Sequence, residues 1–101
     1  MPKLGGEGLS ADYRIFETAQ FACDLLQDFG GRRGWIHRKL AAYVSPQLRR
    51  HPHAGLNIKK VRGVQPDTWR YRIGDYRFFY TIDDRQKLVM MLAVDVRGRA
   101  Y

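Results

Sequence analysis

Arginines two residues apart project from the same side of a β-strand. The stretch Thr68–Ile73 (TWRYRI) places Arg70 and Arg72 in that relation, while Trp69, Tyr71 and Ile73 alternate to the other side. Two guanidiniums side by side on a sheet repel unless something anionic lies over them. Gly74-Asp75 reads as a tight hairpin turn, which brings Arg77 of the next strand close to Arg72. If the last strand pairs beside that hairpin, Arg97 reaches the same face, with Arg99 and Tyr101 following in the tail. The fork geometry of arginine suits phosphate oxygens, and a terminal aromatic ring offers a base a surface to stack on. Lys59, Lys60 and Arg62, on the strand before, are further candidate contacts to an RNA backbone. The competing reading is an amphipathic strand whose arginines simply face water.

Charge supports the first reading. The 101 residues carry 18 Lys and Arg against 10 Asp and Glu, a net +8. Residues 1–46 account for only +1 of this and residues 47–101 for +7. Such a field attracts polyanions, because phosphate contacts release counterions whatever the base sequence; an acidic protein or an anionic membrane surface would be drawn in the same way. One cysteine, Cys23, excludes an internal disulfide framework, fits a reducing compartment, and reads as a small buried hydrophobe within a helix. No apolar run is long enough for a membrane span and no signal-peptide core opens the chain, so a cytoplasmic protein is expected. His51 and His53 flank Pro52, and such a pair can bind a metal or move protons. With no Cys, Asp or Glu at ligand spacing, they are expected in a surface loop, as His37 is on a helix surface. No metal and no cofactor are expected. Met90 and Met91 read as core filling.

The elements that would position these side chains follow from periodicity. Residues 1–11 hold three glycines without periodicity and are expected to be a flexible leader before one domain at 12–101. Asp12–Glu17 alternates as a short strand. Thr18 can cap a helix to about Phe29, with Phe21, Leu25 and Phe29 on its apolar side, Ala22 and Leu26 beside them, and Gly30-Gly31 as its stop. A second helix is expected from Arg32 to Val44 with Ile36, Leu40, Tyr43 and Val44 inward, and Ser45-Pro46 as a fresh start continuing to Arg50. The period then drops to two. Strands are expected at Ile58–Arg62, Thr68–Ile73, Tyr76–Ile82 and Leu88–Asp95, separated by HPHAG, Gly63, Gly74-Asp75 and Asp83–Gln86. The last strand is apolar on both faces, which predicts a central place in the sheet. The order β-α-α-β-β-β-β predicts an α+β domain with two N-terminal helices packed on a mainly antiparallel sheet.

From Asn57 to Tyr101 the chain (NIKKVRG…DTWRYRIGDYRFFYTI…MLAVDVRGRAY) resembles the second half of RelE/ParE-superfamily toxins. Its most specific stretch is the Y-x-IGDYR-x-x-Y hairpin, Tyr71 to Tyr80, with an Arg-rich end after it. The element order is similar too, so the resemblance extends over nearly all of the chain past the leader. RelE-like members are ribosome-dependent endoribonucleases that cut mRNA without a metal, the ribose 2′-OH attacking the adjacent phosphate. By position, the resemblance implies that Arg70 and Arg72 stand where RelE enzymes keep basic strand residues. Arg77 stands at the phosphate-stabilising arginine, Arg97 at the arginine proposed to protonate the leaving group, and Tyr101 at the tyrosine that stacks on the base.

Two departures stand out. RelE enzymes often have lysine where this chain has Arg70 and Arg72, and a guanidinium cannot serve as a general base. The base is therefore unassigned, with Asp75, Asp95 or activation by the ribosome or water all open. Some related toxins also place histidine before the terminal tyrosine, where this chain has Ala100. The implied partners are an antitoxin that lays an acidic segment over the basic sheet face, the ribosome and mRNA. The alternatives are a ParE-like protein that inhibits DNA gyrase without chemistry of its own, and an inactive relative that binds only RNA or antitoxin.

Overall fold

The computed structural model describes residues 12–96. The expected leader and the tail residues Arg97, Arg99, Ala100 and Tyr101 lie outside the described residues. Strand β1 (Arg14–Glu17) leads into α1 (Ala19–Asp24), and α2 (Arg33–Lys39) runs through a π-helical turn at Leu40–Val44 into α3 (Ser45–Arg50). Four strands follow: β2 (Ile58–Lys60), β3 (Trp69–Ile73), β4 (Tyr76–Asp83) and β5 (Leu88–Val96). They form one five-stranded sheet in the order β1-β5-β4-β3-β2, antiparallel throughout except where β1 pairs parallel to β5. The fold is mixed α+β; β4, not β5, takes the middle place, and β5 is an interior strand between β1 and β4 that is only half-buried on the face away from the helices, not covered on both as its apolar run predicted.

The helices lie on one face of the sheet, where alternation sends Tyr71 from β3, Tyr76, Phe78 and Tyr80 from β4, and Val89, Met91 and Val94 from β5. Phe21, Leu25, Ile36, Val44 and Leu48 meet them from the helical side. A bulge opposite Phe79/Tyr80 leaves Leu92 as the extra residue of β5, which lets Met91 and Val94 both face the core although they are three apart. Two polar bonds fasten α1 to β5. The Thr18 hydroxyl caps the helix by accepting from Phe21 N and donates to Leu92 O, and the buried Asp24 carboxylate accepts from Val94 N at 2.9 Å.

The helical half departs from the periodic reading. Helix α1 ends at Asp24 rather than near Phe29, because the chain tightens into short-range turns and Phe29 takes φ +54 while the Asp28 carboxylate accepts from Gly31 N. Phe29 still reaches the core, edge-on to Tyr76 at 5.8 Å, but Leu26 is left exposed. Cys23 is exposed, not buried: Phe21, Asp24 and Leu25 occupy the inward face, and residue 23 falls off it. Ser45 is no fresh N-cap. Its backbone is helical, its side chain makes no capping bond, and its N–H reaches Leu40 O five residues back. Pro46 offers no N–H and its ring crowds the preceding turn, so the helix widens to π geometry just before it. The widening sets the inward line at Ile36, Leu40, Val44 and Leu48, one residue away from Tyr43, which is exposed under the Lys39 ammonium. Met91 fills the core as expected, whereas Met90 is half-buried on the opposite face. No helix among the described residues is long and apolar enough to cross a membrane.

A polar clamp closes the end of the sheet where β4 turns into β5. The Tyr13 hydroxyl donates to Asp84 Oδ1 at 2.6 Å, and His53 Nε2 stands 3.0 Å from the same carboxylate. The His53 ring packs edge-on to Trp69 at 5.6 Å, and the buried Tyr80 hydroxyl donates to Pro52 O. The loop holding His51 and His53 is thus tied down by a carboxylate 31 residues away in sequence. The hydrogen bond from Tyr13 is the largest influence holding the Asp84 carboxyl below its ordinary 3.8, against an opposing effect of burial and with help from His53 and Lys87. Burial first, then the bond to Asp84 and its charge, push Tyr13 up to about 12.

The pH dependence follows. A carboxyl depressed in the fold stabilises above its ordinary pKa and loses that contribution as pH falls through the folded value. A tyrosine raised in the fold stabilises fully below its ordinary 10.0 and loses the contribution as pH climbs toward about 12. Urea midpoints should therefore drop on both flanks, and Tyr13→Phe should make the alkaline drop shallower without abolishing it, since burial and Tyr71 also raise Tyr80. An alkaline flank identical in Tyr13→Phe and the parent would contradict the clamp. In the core, Phe78→Ala should cost about 3–5 kcal/mol by chemical denaturation, the range for truncating a buried phenylalanine.

Candidate functional site

Register decides what shares the outer face of the sheet, away from the helices. Gly74 takes φ +57 at the first position of the two-residue turn between Ile73 and Tyr76, as a primed hairpin turn requires. That turn sets Arg72 directly opposite Arg77, and β5 sets Asp95 opposite Arg77 on the other side. A first row thus runs Arg72–Arg77–Asp95 across three strands. Two residues further along, Lys59, Arg70, Phe79 and Ala93 form a second row across four strands. Neighbours within a row are about 5 Å apart and the rows about 7 Å apart, so four cations converge on a patch that a few nucleotides would cover.

Not all of these cations are alike. Arg77 Nη2 donates to Asp95 Oδ2 at 2.9 Å, with the two side chains only 14% and 23% exposed. Its guanidinium also lies 5.6 Å from the centroid of the Phe79 ring. Asp95, a candidate base in the sequence, is therefore the carboxylate that faces an arginine of the site; it relieves the repulsion that Arg72 and Arg77 would otherwise exert on each other. Lys59, Arg70 and Arg72 line an open hollow of about 210 Å³ with Asn57 and the fully exposed Leu56. Its size and cationic lining suit a phosphate group.

The remaining expected site residues are placed elsewhere. Lys60 alternates to the opposite side of β2 from Lys59, pairs with Asp67 at 3.0 Å and lies over the Trp69 ring. Arg62 is exposed beyond the end of β2, beside Lys60 and Gly63. Asp75 is exposed in the hairpin turn. Arg97, Arg99 and Tyr101 lie outside the described residues. Phe79 went unnoticed in the sequence, although its position two residues past Arg77 was enough to put it on the arginine face. His37 Nε2 stands 2.9 Å from Leu25 O, and His53 belongs to the clamp with Tyr13 and Asp84, apart from the arginine rows. Among the described residues no three His, Cys, Asp or Glu side chains gather to hold a metal ion.

Comparisons with known proteins bear on the fold that carries these side chains. Residues 36–101 match the family model described as the ParE toxin of the type II toxin–antitoxin system parDE. The toxin–antitoxin complex RelBE2 from Mycobacterium tuberculosis contains a similar chain, with 28% identity and a TM-score of 0.66 over 85% of this chain and 99% of that one. The RelE–RelB complex from Pyrococcus horikoshii gives 29% identity and a TM-score of 0.52 over 86% and 97%. The isolated RelE toxin of E. coli, at 20% identity and a TM-score of 0.59 over 86% of each chain, shares the fold. No curated protein matches the chain. On the family match and the structural similarity together, the chain belongs to the ParE toxin family, and it is a toxin of the RelE/ParE superfamily of type II toxin–antitoxin systems.

Proposed function

We propose that this toxin is a ribosome-dependent endoribonuclease acting in the cytoplasm, cutting mRNA and so halting translation. The observation that supports it is the convergence of Lys59, Arg70, Arg72 and Arg77 on one sheet face beside the Phe79 ring. Cleavage by 2′-OH attack needs cations around the phosphate as a dianionic phosphorane develops, a place for the 2′ proton and a donor to the leaving 5′ oxygen. Arg70, Arg72 and Arg77 would hold the scissile phosphate, with Lys59 on a neighbouring one. Arg97 would protonate the leaving oxygen and Tyr101 would stack on the base, as the resemblance implies. Lys60, Arg62 and Arg99 would contact RNA backbone outside the reacting nucleotide. Asp95 serves Arg77 in this scheme, and removal of the 2′ proton falls to Asp75, the ribosome or water. No metal or cofactor enters this scheme.

The cognate antitoxin would lay an acidic segment over the same face, neutralising the toxin by competing for its arginines. The two RelE–RelB-type complexes above are the support for such a partner.

A second reading is gyrase inhibition through protein contacts alone. It is favoured by the ParE description of the family and by the fact that Arg77 already faces a carboxylate.

Toeprinting of an mRNA in a purified translation system separates the two. New ends confined to the ribosomal A site are expected; no new ends, together with blocked supercoiling by purified gyrase, would favour the second reading. Arg70→Ala/Arg72→Ala should slow cleavage by at least about 100-fold, the scale for losing electrostatic transition-state contacts, with an unchanged circular dichroism spectrum. Cleavage within about twofold of the parent would remove both residues from the site. Binding to single-stranded RNA should weaken about 50-fold between about 50 and 200 mM salt if four phosphates are contacted at a slope of about −0.7 each. A flat salt response would contradict phosphate recognition.

A further inference from the structure

The row Arg72–Arg77–Asp95 holds two adjacent guanidiniums and one carboxylate, and the carboxylate sits at the outer end, against Arg77. A carboxylate and a phosphodiester present a guanidinium with the same thing: one negative charge spread over two oxygens that can accept parallel N–H bonds. Asp95 Oδ2, 2.9 Å from Arg77 Nη2, therefore occupies a place that a phosphate oxygen would take. The pair is mostly shielded from water, at 14% and 23% side-chain exposure, so its attraction is screened less than that of a surface pair. A phosphate on Arg72 would lie one strand spacing, about 5 Å, from Arg77, within reach of a change of rotamer.

We propose that Asp95 is the built-in anion of this face. It holds Arg77 in place across the sheet when no RNA is bound and yields the guanidinium to an RNA phosphate on binding, so that Asp95 sets the affinity of the site. This rests on the reading of the arginine face as a phosphate-binding surface. Asp95 acts through Arg77 and is a positioning residue, not a catalytic one. Its carboxylate also explains how Arg72 and Arg77 are tolerated face to face in the free protein.

Asp95→Asn keeps the shape and an acceptor oxygen while removing the charge. It should bind a short single-stranded RNA about tenfold more tightly, with a salt dependence steeper by about one phosphate contact, a slope change of about −0.7. Asp95→Glu, which retains the charge, should stay close to the parent, and in an Arg77→Ala background the gain from Asp95→Asn should fall to about twofold or less. Unchanged or weaker RNA binding by folded Asp95→Asn would overturn the proposal, as would an undiminished gain without Arg77. If Asp95→Asn fails to fold, the unaltered protein decides: the side-chain carboxyl carbon resonance of Asp95 should move on saturation with the RNA, and a stationary signal would overturn the exchange. Arg70→Ala/Arg72→Ala serves as the control. If that variant binds RNA as well as the parent, the phosphate-binding reading fails and this proposal with it. If it binds worse while Asp95→Asn gains nothing, only the role given to Asp95 falls.

Discussion

Tyr71, Phe78 and Tyr80 enter the core together only when β3 and β4 pair in the register set by the Gly74-Asp75 turn. Side chains alternate with a period of two, so a slip of β3 by one residue would drive Arg70 and Arg72 under the helices and expose Tyr71. The large buried surface of those rings thus fixes the positions of the guanidiniums on the far side. Site and core are two faces of one strand pair. The neighbouring strand extends the same logic: β5 buries Val89, Met91 and Val94 while delivering Asp95 to the arginine row.

The two ends of β4 are organised differently. Near the hairpin turn, cations outnumber carboxylates, and Asp95 lies against Arg77. At the other end, Asp83 and Asp84 organise the β4–β5 turn, Asp83 accepting from Arg85 N and Gln86 N and Asp84 joining Tyr13 to His53. The clamped end serves the arginine end, because it ties β1 and the loop around Pro52 to the strands that carry the arginines.

Much of this was legible in the sequence because β-strands report themselves locally. The period-two stretch Trp69–Ile73, the Gly-Asp turn and the uniformly apolar β5 led to the sheet and to the pairing of Arg72 with Arg77. The helical half was less legible because single residues override periodicity there. Pro46 shifts the phase of its helix and turns Tyr43 outward, and the positive φ of Phe29 ends a pattern that would otherwise continue. Long-range polar bonds were invisible. Nothing in the neighbourhood of His53 or Asp24 announces Asp84 or Val94 as partners, and Asp95 was noticed as a candidate base while its actual role against Arg77 depends on strand order.

The central claim is that ribose-phosphate lies on the outer face over Lys59, Arg70, Arg72 and Arg77. Backbone amide shifts mapped by NMR as a short single-stranded RNA is titrated into the protein test it most directly. The expected result is a contiguous set of shifts over residues 57–60, 70–73 and 77–79, with Tyr13, His53 and Asp84 unmoved. Shifts gathered instead around Arg49, Arg50 and Lys87, or none at saturating RNA, would contradict it.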